Sequence, residues 1–504
     1  MKDTSLRQRF FGSILGNGAR GLLSLGTAVL LARCLGPNDY GRMAFLMASF
    51  VAIKGLLDMA SSSAFFTFLS QRPRTCRFIG HYWRFILCQF IFSLLVLGLL
   101  MPAGWIQAIW KGESRGLVLL AFAACFMQGS VWNIATTMAE AERKTLCVQK
   151  IGTVLAIFHL AVVFSLWQIG KLALPLIFLA LILEHGLSSW LVTRLYRGKG
   201  SANSTASEDS FKSVFCEFSN YCAPFVPYTL LGVVYDLGDR WMLQQWGGAD
   251  QQAYYALATQ FATVVILATA SILRIFWKEI AEAHYNGNMA RAQYLYQNVS
   301  RGVFILGAAL AGLLTPWSDQ IVKWTLGAGY LSGSTTLMLM FFYPIHQSMG
   351  QIGGTMLYAT GQTRVYTNLG MIFMAVSLVV AYFLLAPSQA TIPGLGLGSK
   401  GLACKMLGMQ FIQVNVIAWF IAKKYQWKFD WQTQLMVLVT VISAGWCAKG
   451  FVLLIITNGA FSQIICSTIL TLLVIGLIVY TRPELAGLRR DQLSLQFKKY
   501  LHQT

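Results

Sequence analysis

Long apolar runs recur along the whole chain and limit its fold more than any other feature of the sequence. Each run has roughly the length that a helix needs to cross the hydrocarbon core of a bilayer, about 20 residues. The runs do not alternate between apolar and polar residues, which excludes the short alternating strands of a transmembrane β-barrel. The sequence therefore predicts an all-α polytopic membrane protein with about 14 transmembrane helices. The predicted spans are residues 11–31, 43–69, 83–101, 117–139, 148–169, 173–193, 220–244, 253–276, 302–320, 333–358, 366–386, 400–422, 433–456 and 460–480.

The basic excess of the sequence has an explanation in membrane topology. Charged residues make up only 12% of the 504 residues, yet the formal net charge is +20. A basic chain can bind nucleic acid, but Lys and Arg also accumulate in the cytoplasmic loops of membrane proteins. Here about 27 basic residues lie in loops on the side of the two termini, against about 7 on the opposite side. This bias predicts that both termini are cytoplasmic and that no nucleic acid is a partner.

Several functional classes have no support in the sequence. The ten cysteines are scattered, mostly inside apolar runs, so neither a disulfide framework nor a metal site is expected. No P-loop, ABC signature, HExxH, GxSxG or kinase motif is present. The polar amino terminus lacks the pattern of a cleavable signal peptide, and the first apolar run indicates a permanent span. We therefore expect no cofactor, no ATP hydrolysis and no enzymatic activity.

A turn near the start of the chain has a partial echo two hundred residues later. Gly36-Pro37-Asn38-Asp39 is strong turn chemistry between two apolar runs, and Tyr40 opens the second run. In residues 243–257 an apolar run again ends at a Gly-containing turn, and a Tyr again opens the next run. The echo indicates a chain of two related halves.

The predicted organisation is two six-helix lobes followed by a helix pair. Residues 1–196 form the amino-terminal lobe with TM1–6, and 217–425 form the carboxy-terminal lobe with TM7–12. Residues 197–216 are the cytoplasmic linker, because 197–210 are rich in Gly and Ser. Residues 426–504 hold TM13–14, outside the repeat, and a basic cytoplasmic tail. Between TM8 and TM9 we expect a helical extension, a turn at 286–288 and an interfacial helix.

Ionisable residues at membrane depth are the strongest pointers to a site, because each is costly unless it faces water or a partner. Those predicted at depth are Arg20, Lys54, Arg240, Lys405, Lys449, Asp58, Glu184, Asp236 and Asp239. Lys54 and Asp58 are four residues apart and can pair, which would make them structural. Lys449 can snorkel to the interface, so it is left out of the site.

The remaining charged residues suggest a basic, aromatic cavity. Span seven contains Pro224, Pro227 and the i,i+4 pair Asp236 and Arg240, which is unusual for a lipid-facing helix. Arg274 either reaches the same cavity or anchors the inner end of span eight. Glu184-His185 is either a proton relay or a structural pair. A basic lining suits an anionic amphiphile, because Arg and Lys bind phosphate.

The predicted site therefore has two parts. The cations and polar residues expected to bind substrate are Arg20, Lys54, Arg240, Asp236, Asp239 and Arg274. The residues expected to form a gate at the first turn are Arg33, Gly36, Pro37, Tyr40 and Gly41. No residue is predicted to be catalytic or to bind a metal.

These segments resemble those of a known family. The turn at 33–41, Asp239-Arg240 followed by Gly247-Gly248, and Tyr254-Tyr255-Ala256-Leu257-Ala258 are similar to the matching segments of the polysaccharide-transport branch of the MOP flippase superfamily. That branch contains the Wzx-like flippases of O-antigen and exopolysaccharide repeat units. The resemblance covers the whole length of the chain.

The resemblance implies a fold and a function. It implies a V-shaped pair of lobes related by a parallel repeat, with a cationic central cavity. It also implies that an undecaprenyl-diphosphate-linked oligosaccharide moves from the inner to the outer leaflet of the bacterial cytoplasmic membrane by alternating access. The expected partners are that substrate, membrane lipids and other polysaccharide-assembly proteins.

Other functions stay open at this point. A cation or drug antiporter of the MATE branch needs acidic residues in its cavity, whereas span one offers Arg20 and neither Asp nor Glu. A lipid II flippase, also related, is not excluded by the sequence. An integral-membrane glycan polymerase or ligase is more remote, because such enzymes use large periplasmic loops and the loops here are short.

Overall fold

The chain is helical throughout the part that the computed structural model describes, which is residues 6–71, 74–142, 144–196, 210–428, 431–457 and 459–487. This part contains no β-strand. The α-helices are α1 Leu6–Asp58, α2 Ser61–Gln71, α3 Cys76–Leu95, α4 Ala103–Ile109, α5 Arg115–Phe126, α6 Trp132–Ala141, α7 Thr145–Gln168, α8 Leu174–Tyr196, α9 Phe211–Cys222, α10 Val226–Tyr285, α11 Met289–Leu314, α12 Ser318–Thr325, α13 Ser334–Met340, α14 Tyr343–Ala359, α15 Thr363–Leu385, α16 Gly398–Tyr425, α17 Trp431–Ile455 and α18 Ala460–Thr481.

The predicted fold class is confirmed, because the predicted spans lie on helix, with two-residue breaks at 59–60 and 341–342 inside two of them. Ten helical segments in the described part are long and apolar enough to cross a membrane, and one of them, Gly16–Asp58, covers parts of two predicted spans. Helix α10 ends at Tyr285, Gly287 turns the chain with a φ of 68°, and α11 begins at Met289, as predicted. The short helices α4 and α12 were not predicted.

The two longest helices each contain a sharp break at a glycine. In α1 the break is at Gly36, with φ 75° and ψ 171°, and in α10 it is at Gly248, with φ 80° and ψ −176°. These dihedrals are open to glycine and strained for other residues. The echo between the two turns is therefore real at the backbone level. Its register pairs Gly36 with Gly248, so Tyr40 corresponds to Gln252 and not to the tyrosine that opens the later run.

The chain divides into two units. Unit 1 comprises residues 1–253 and 374–398, and unit 2 comprises 254–373 and 399–504. The lobe boundaries expected from the sequence stay a prediction.

Unit 1 is built around a close contact between α1 and α7. A Cβ on Gly16 would lie 2.9 Å from Gln149 Oε1, and a Cβ on Gly152 would lie 2.7 Å from a terminal nitrogen of Arg20. Small residues let two membrane helices approach in this way. A small core of Ala135, Ala139, Val148 and Val192 joins α6, α7 and α8. The close α1–α7 contact fixes the part of α1 that carries Arg20.

Unit 2 attaches the last two helices to α11. A Cβ on Gly445 of α17 would lie 2.0 Å from the carbonyl oxygen of Gly312 of α11, so the two backbones touch. Core residues of α11, α14 and α17, among them Ala308, Ile345 and Val441, pack around this crossing. Helices α17 and α18 therefore have an extended packing surface within unit 2.

Candidate functional site

Arg20 is held in unit 1 by two side-chain amides. Its Nη2 donates to Asn17 Oδ1 at 2.5 Å, one turn earlier on α1, and to Gln149 Oε1 of α7 at 2.7 Å. The buried Nε has no hydrogen-bond partner among the described residues. The amides are uncharged, so they orient the guanidinium without neutralising it, and the carboxylate of Glu140 on α6 is close enough for an electrostatic interaction. A guanidinium held in one orientation can bind two oxygens of a phosphate.

Lys54 is the least constrained cation of the predicted set. The half-buried ammonium has neither a hydrogen-bond nor an ion-pair partner within the described residues. Its alkyl chain lies against Gly129, where a Cβ would lie 2.8 Å from Lys54 Cδ. Gly129 belongs to a π-helical segment, Met127–Val131, between α5 and α6. Such one-turn π segments are frequent at functional sites.

Asp58 does not neutralise Lys54. Its Oδ2 accepts from Ser62 Oγ at 2.8 Å, and its Oδ1 accepts from Ser62 N at 3.0 Å and Ser61 Oγ at 3.1 Å. The carboxylate thus caps the amino terminus of α2, which follows a break where Met59 and Ala60 have positive φ. The alternative in which Lys54 and Asp58 form an i,i+4 ion pair is not seen among the described residues, because the carboxylate caps α2.

Lys54 opens onto a small polar cavity inside unit 1. The lining supplies hydrogen-bonding groups from four helical segments, among them Ser62, Gln89, Ser130 and Asn133. The lining also includes Asp58, whose carboxylate oxygens are bonded to Ser61 and Ser62. The ammonium of Lys54 and the neutral donors around it can bind part of an anionic ligand.

The charged residues of α10 lie close to its glycine break. Asp239 is buried, Arg240 is half-buried and Asp236 is exposed. The Arg240 Nη1 donates to Gln252 Oε1 at 3.4 Å, and the fully buried Gln252 amide donates to the Arg240 backbone carbonyl. Gln252 therefore ties Arg240 across the Gly248 break.

The first turn packs against this second turn within unit 1. A Cβ on Gly41 would lie 1.8 Å from the carbonyl oxygen of Ala249, so only glycine fits there. Tyr40 is buried with 6% exposure and is close enough to Arg240 for an electrostatic interaction. Pro37 follows the Gly36 break, and Arg33 is exposed. Four of the five predicted gate residues thus lie at or next to the contact between the two turns.

Sequence reasoning missed an ion-pair cluster at this turn. Arg42 makes a bidentate pair with Glu113, at 2.6 and 2.8 Å, and a third bond to Asp39 at 2.8 Å. Glu113 follows Lys111, whose ammonium lies 4.9 Å from the centre of the Trp241 ring. Burial lowers the pKa of Lys111. The loop between α4 and α5 therefore contacts both the turn of α1 and the part of α10 that precedes its Gly248 break.

A second missed pair lies at the other end of unit 1. Arg74 has a side chain only 3% exposed, and it binds Glu217 of α9 at 2.5 and 3.0 Å. The guanidinium also lies over the rings of Phe68 and Phe78. The sequence did not indicate this pair, because Arg74 and Glu217 are 143 positions apart.

Three further cations differ in their surroundings. The side chain of Arg274 lies outside the described residues. Lys405 is fully buried in unit 2, beside the sulfur of Met406. Lys449 donates to the carbonyl of Pro316 at 2.6 Å and lies 4.9 Å from the Trp317 ring centre. Lys449 is thus held inside unit 2 and does not need to snorkel.

The Glu184-His185 pair also differs from the expectation. Glu184 Oε2 is bonded to Nδ1 of His159 on α7 at 2.8 Å, whereas His185 Nδ1 bonds to the backbone carbonyl of Leu181 at 3.0 Å. Neighbours in a helix point about 100° apart, so the partner of Glu184 comes from the packed helix and not from the next residue.

The fold is shared with solved transporters of the MOP superfamily. The lipid II flippase MurJ in an inward closed conformation matches with a TM-score of 0.69 at 16% identity, over 92% of this chain and 98% of that chain. A MOP superfamily transporter from Pyrococcus furiosus matches with a TM-score of 0.57 at 11% identity, over 83% and 94%. An outward-facing multidrug resistance MATE family transporter matches with 0.55 at 12% identity, over 83% and 94%. At these identities the likeness establishes the fold alone.

The helices and this likeness define a multi-pass membrane protein with the fold of MOP superfamily transporters. Residues 6–276, more than half of the chain, match the family described as polysaccharide biosynthesis protein. The chain therefore belongs to that family. A comparison with curated proteins gave no match.

Proposed function

We propose that the protein flips a lipid-diphosphate-linked oligosaccharide from the inner to the outer leaflet of the bacterial cytoplasmic membrane, by alternating access, for surface polysaccharide biosynthesis. The observation that carries the proposal is Lys54, a cation in a membrane-spanning helix with no partner among the described residues. A free charge at this depth is costly unless it serves a ligand or a wet cavity. Membership of a polysaccharide biosynthesis family supports the glycan part of the substrate.

The site proposed for the diphosphate consists of Lys54, Arg20 and Arg240. Lys54 supplies an unshared charge, and Arg20 supplies a guanidinium that only amides orient. Asp236, Asp239 and Arg274 are proposed to line the same path. The turn residues Arg33, Gly36, Pro37, Tyr40 and Gly41 are proposed to act as a gate, because Gly41 touches Ala249, the residue after the Gly248 break.

We base the proposed substrate on the charges of the site and not on the fold. A fold of this kind is shared by transporters with different cargo, so it does not select among them. Lys54 and Arg20 have no ion pair among the described residues, although Asp58 lines the Lys54 cavity and Glu140 lies near Arg20. The two cations on α1 favour an anion over a cationic drug. The termini are proposed to be cytoplasmic on the basis of the loop charges.

The test is reconstitution of the purified protein in liposomes with a fluorescent undecaprenyl-diphosphate-linked sugar. Wild type is expected to move the probe between leaflets, and Lys54→Gln is expected to lose most of that activity at unchanged protein level. Lys171→Gln is the matched control, because Lys171 is an exposed lysine in the loop between α7 and α8. Equal rates in all three proteins, or movement of cationic dyes in place of the probe, would overturn the proposal.

A further inference from the structure

A buried carboxylate in unit 1 has no role in the site proposed above. Glu184 of α8 is 5% exposed, and one of its oxygens is bonded to Nδ1 of His159 at 2.8 Å. Its other oxygen, Oε1, is buried and has no hydrogen-bond partner among the described residues. At 1.5 Å per residue, Glu184 lies roughly 15 Å from the start of α8 at Leu174, and His159 lies roughly 20 Å from the start of α7 at Thr145. A buried carboxylate oxygen without a hydrogen-bond partner is costly at this depth, which marks Glu184 as a candidate functional group.

A row of polar side chains begins at His185, next to Glu184 and about 100° around the helix from it, and runs toward one end of α8. His185, Ser189 and Thr193 are spaced by four residues, so they lie on one face of the helix. The hydroxyl oxygens of Ser189 and Thr193 are buried and, like Glu184 Oε1, lack a hydrogen-bond partner within the described residues. Hydroxyls in membrane helices usually bond to the carbonyl four residues earlier, as Thr153 and Ser165 do on α7. Those of Ser189 and Thr193 are available to other partners.

Few charged or titratable side chains lie on the helices around the pair. Helix α7 brings His159 into contact with Glu184, and His185 lies next to both along α8. The other titratable or charged groups on the helices packed against α8, and on α8 itself, are Arg115, Cys125, Glu140, Cys147, Lys150 and Arg194. None of these six is bonded to Glu184 in the part of the chain that the structure describes. One proton shared by Glu184 and His159 makes the pair neutral overall, and a second gives it a single positive charge.

We propose that Glu184 and His159 form a proton-binding site, reached along His185, Ser189 and Thr193, through which translocation is coupled to a proton gradient. In the binding step an O–H bond forms on Glu184 Oε1 while the O–H bond of the donating hydroxyl or water breaks. Each hydroxyl of the row regains a proton from the next, and the supply is hydronium at the Thr193 end, which is left as water. The coupling, unlike the site itself, rests on the proposed function, because any change that protonation makes in substrate affinity is reciprocal.

The proton site is tested without substrate by infrared difference spectroscopy of the whole protein in liposomes as the pH is changed. Wild type is expected to show the carbonyl stretch of a protonated carboxyl group, and Glu184→Gln is expected to lose it. Glu279→Gln is the matched control, because Glu279 is paired at the surface with Arg291. Ser189→Ala combined with Thr193→Val is expected to keep the band and to slow its appearance. Identical spectra for wild type and Glu184→Gln overturn the proton site.

The coupling is tested with the fluorescent undecaprenyl-diphosphate-linked sugar in the same liposomes. An imposed pH gradient is expected to change the rate of wild type, and in Glu184→Gln and His159→Asn the rates with and without the gradient become equal. A wild-type rate that ignores the gradient overturns the coupling while the proposed function stands. Failure of wild type to move the probe overturns the proposed function and the coupling together, and the infrared result still decides the proton site.

Discussion

Lys54 in unit 1 and Lys449 in unit 2 give the same signal in the sequence and have opposite surroundings in the structure. Each is a lysine in an apolar helix at membrane depth. The Lys449 ammonium has a carbonyl at 2.6 Å and two indole rings around it. The Lys54 ammonium has no partner in the described part of the chain and opens onto a polar cavity. The Lys449 ammonium is occupied by internal contacts, and the Lys54 ammonium is available to a ligand.

The difference teaches that charge at membrane depth marks two kinds of residue. A cation with a complete set of internal partners stabilises the fold, and removing it leaves a buried acceptor unsatisfied. A cation without such partners lowers stability slightly and is kept for function. The two kinds are separated by contacts, which the sequence does not contain.

The largest expected effect is on transport in Lys54→Gln. Losing one charged contact to a phosphate costs about 1.5–3 kcal/mol, which is roughly a 10- to 100-fold fall in transport rate at low substrate. The melting temperature should stay unchanged or rise, because no internal bond is lost. The measurement is probe flipping together with thermal unfolding in detergent. If the melting temperature falls as far as in a core variant, Lys54 stabilises the fold, as Lys449 does.

Removing Arg20 should lower flipping, as removing Lys54 does. Changing the amides that hold Arg20 should lower flipping less. Arg20→Ala is expected to lower flipping about 10-fold, because charge and fork are both lost. Gln149→Leu should lower it less, because the charge remains while one bond at 2.7 Å is lost. Asn17→Leu should have a similar effect. If Gln149→Leu is as inactive as Arg20→Ala, then Gln149 binds the substrate itself and does not merely hold Arg20.

Lys449→Met tests whether Lys449 stabilises the fold without taking part in transport. The methionine keeps the volume of the lysine stem but leaves the Pro316 carbonyl without its donor, which costs about 1–3 kcal/mol of stability. Transport per folded molecule should be unchanged. The measurement is thermal unfolding against the neighbouring Cys447→Ala, an exposed position. An unchanged melting temperature with reduced flipping would mean that Lys449 belongs to the transport path.

Most of the fold could be predicted from the sequence, for a physical reason. A bilayer forces every backbone polar group to be satisfied within its own segment, so long apolar runs become helices. The turn at Gly36 and the turn at Gly287 were predicted from residue type alone. The break at Met59-Ala60 and the π segment at Met127–Val131 were not, because neither has a Gly-Pro signal and both depend on packing around Lys54 and Asp58.

The candidate site was predictable in part. Charge at membrane depth was enough to select Arg20 and Lys54, but their neighbours Gln149, Gly129 and Gly152 come from other helices. The pairing of Glu184 with His159 was missed for the same reason, since 25 residues separate them along the chain. Sequence periodicity states which residues share a face of one helix, and it does not state which helix packs against that face.

The smallest effect is expected from adding a methyl group beside Lys54. In Gly129→Ala the new Cβ would lie 2.8 Å from Lys54 Cδ, so the flexible lysine stem must shift. The shift costs little stability, because Gly129 lies in a helical segment and alanine favours helix by about 1 kcal/mol over glycine. Flipping should fall by a few-fold at most, since the ammonium moves but keeps its charge. The control is Gly104→Ala, where a Cβ would meet open space. Flipping that is unchanged in Gly129→Ala and reduced in Lys54→Gln would mean that the charge of Lys54 matters and its position does not. A loss as large as that of Lys54→Gln would mean that the ammonium is held to within about an ångström of its ligand.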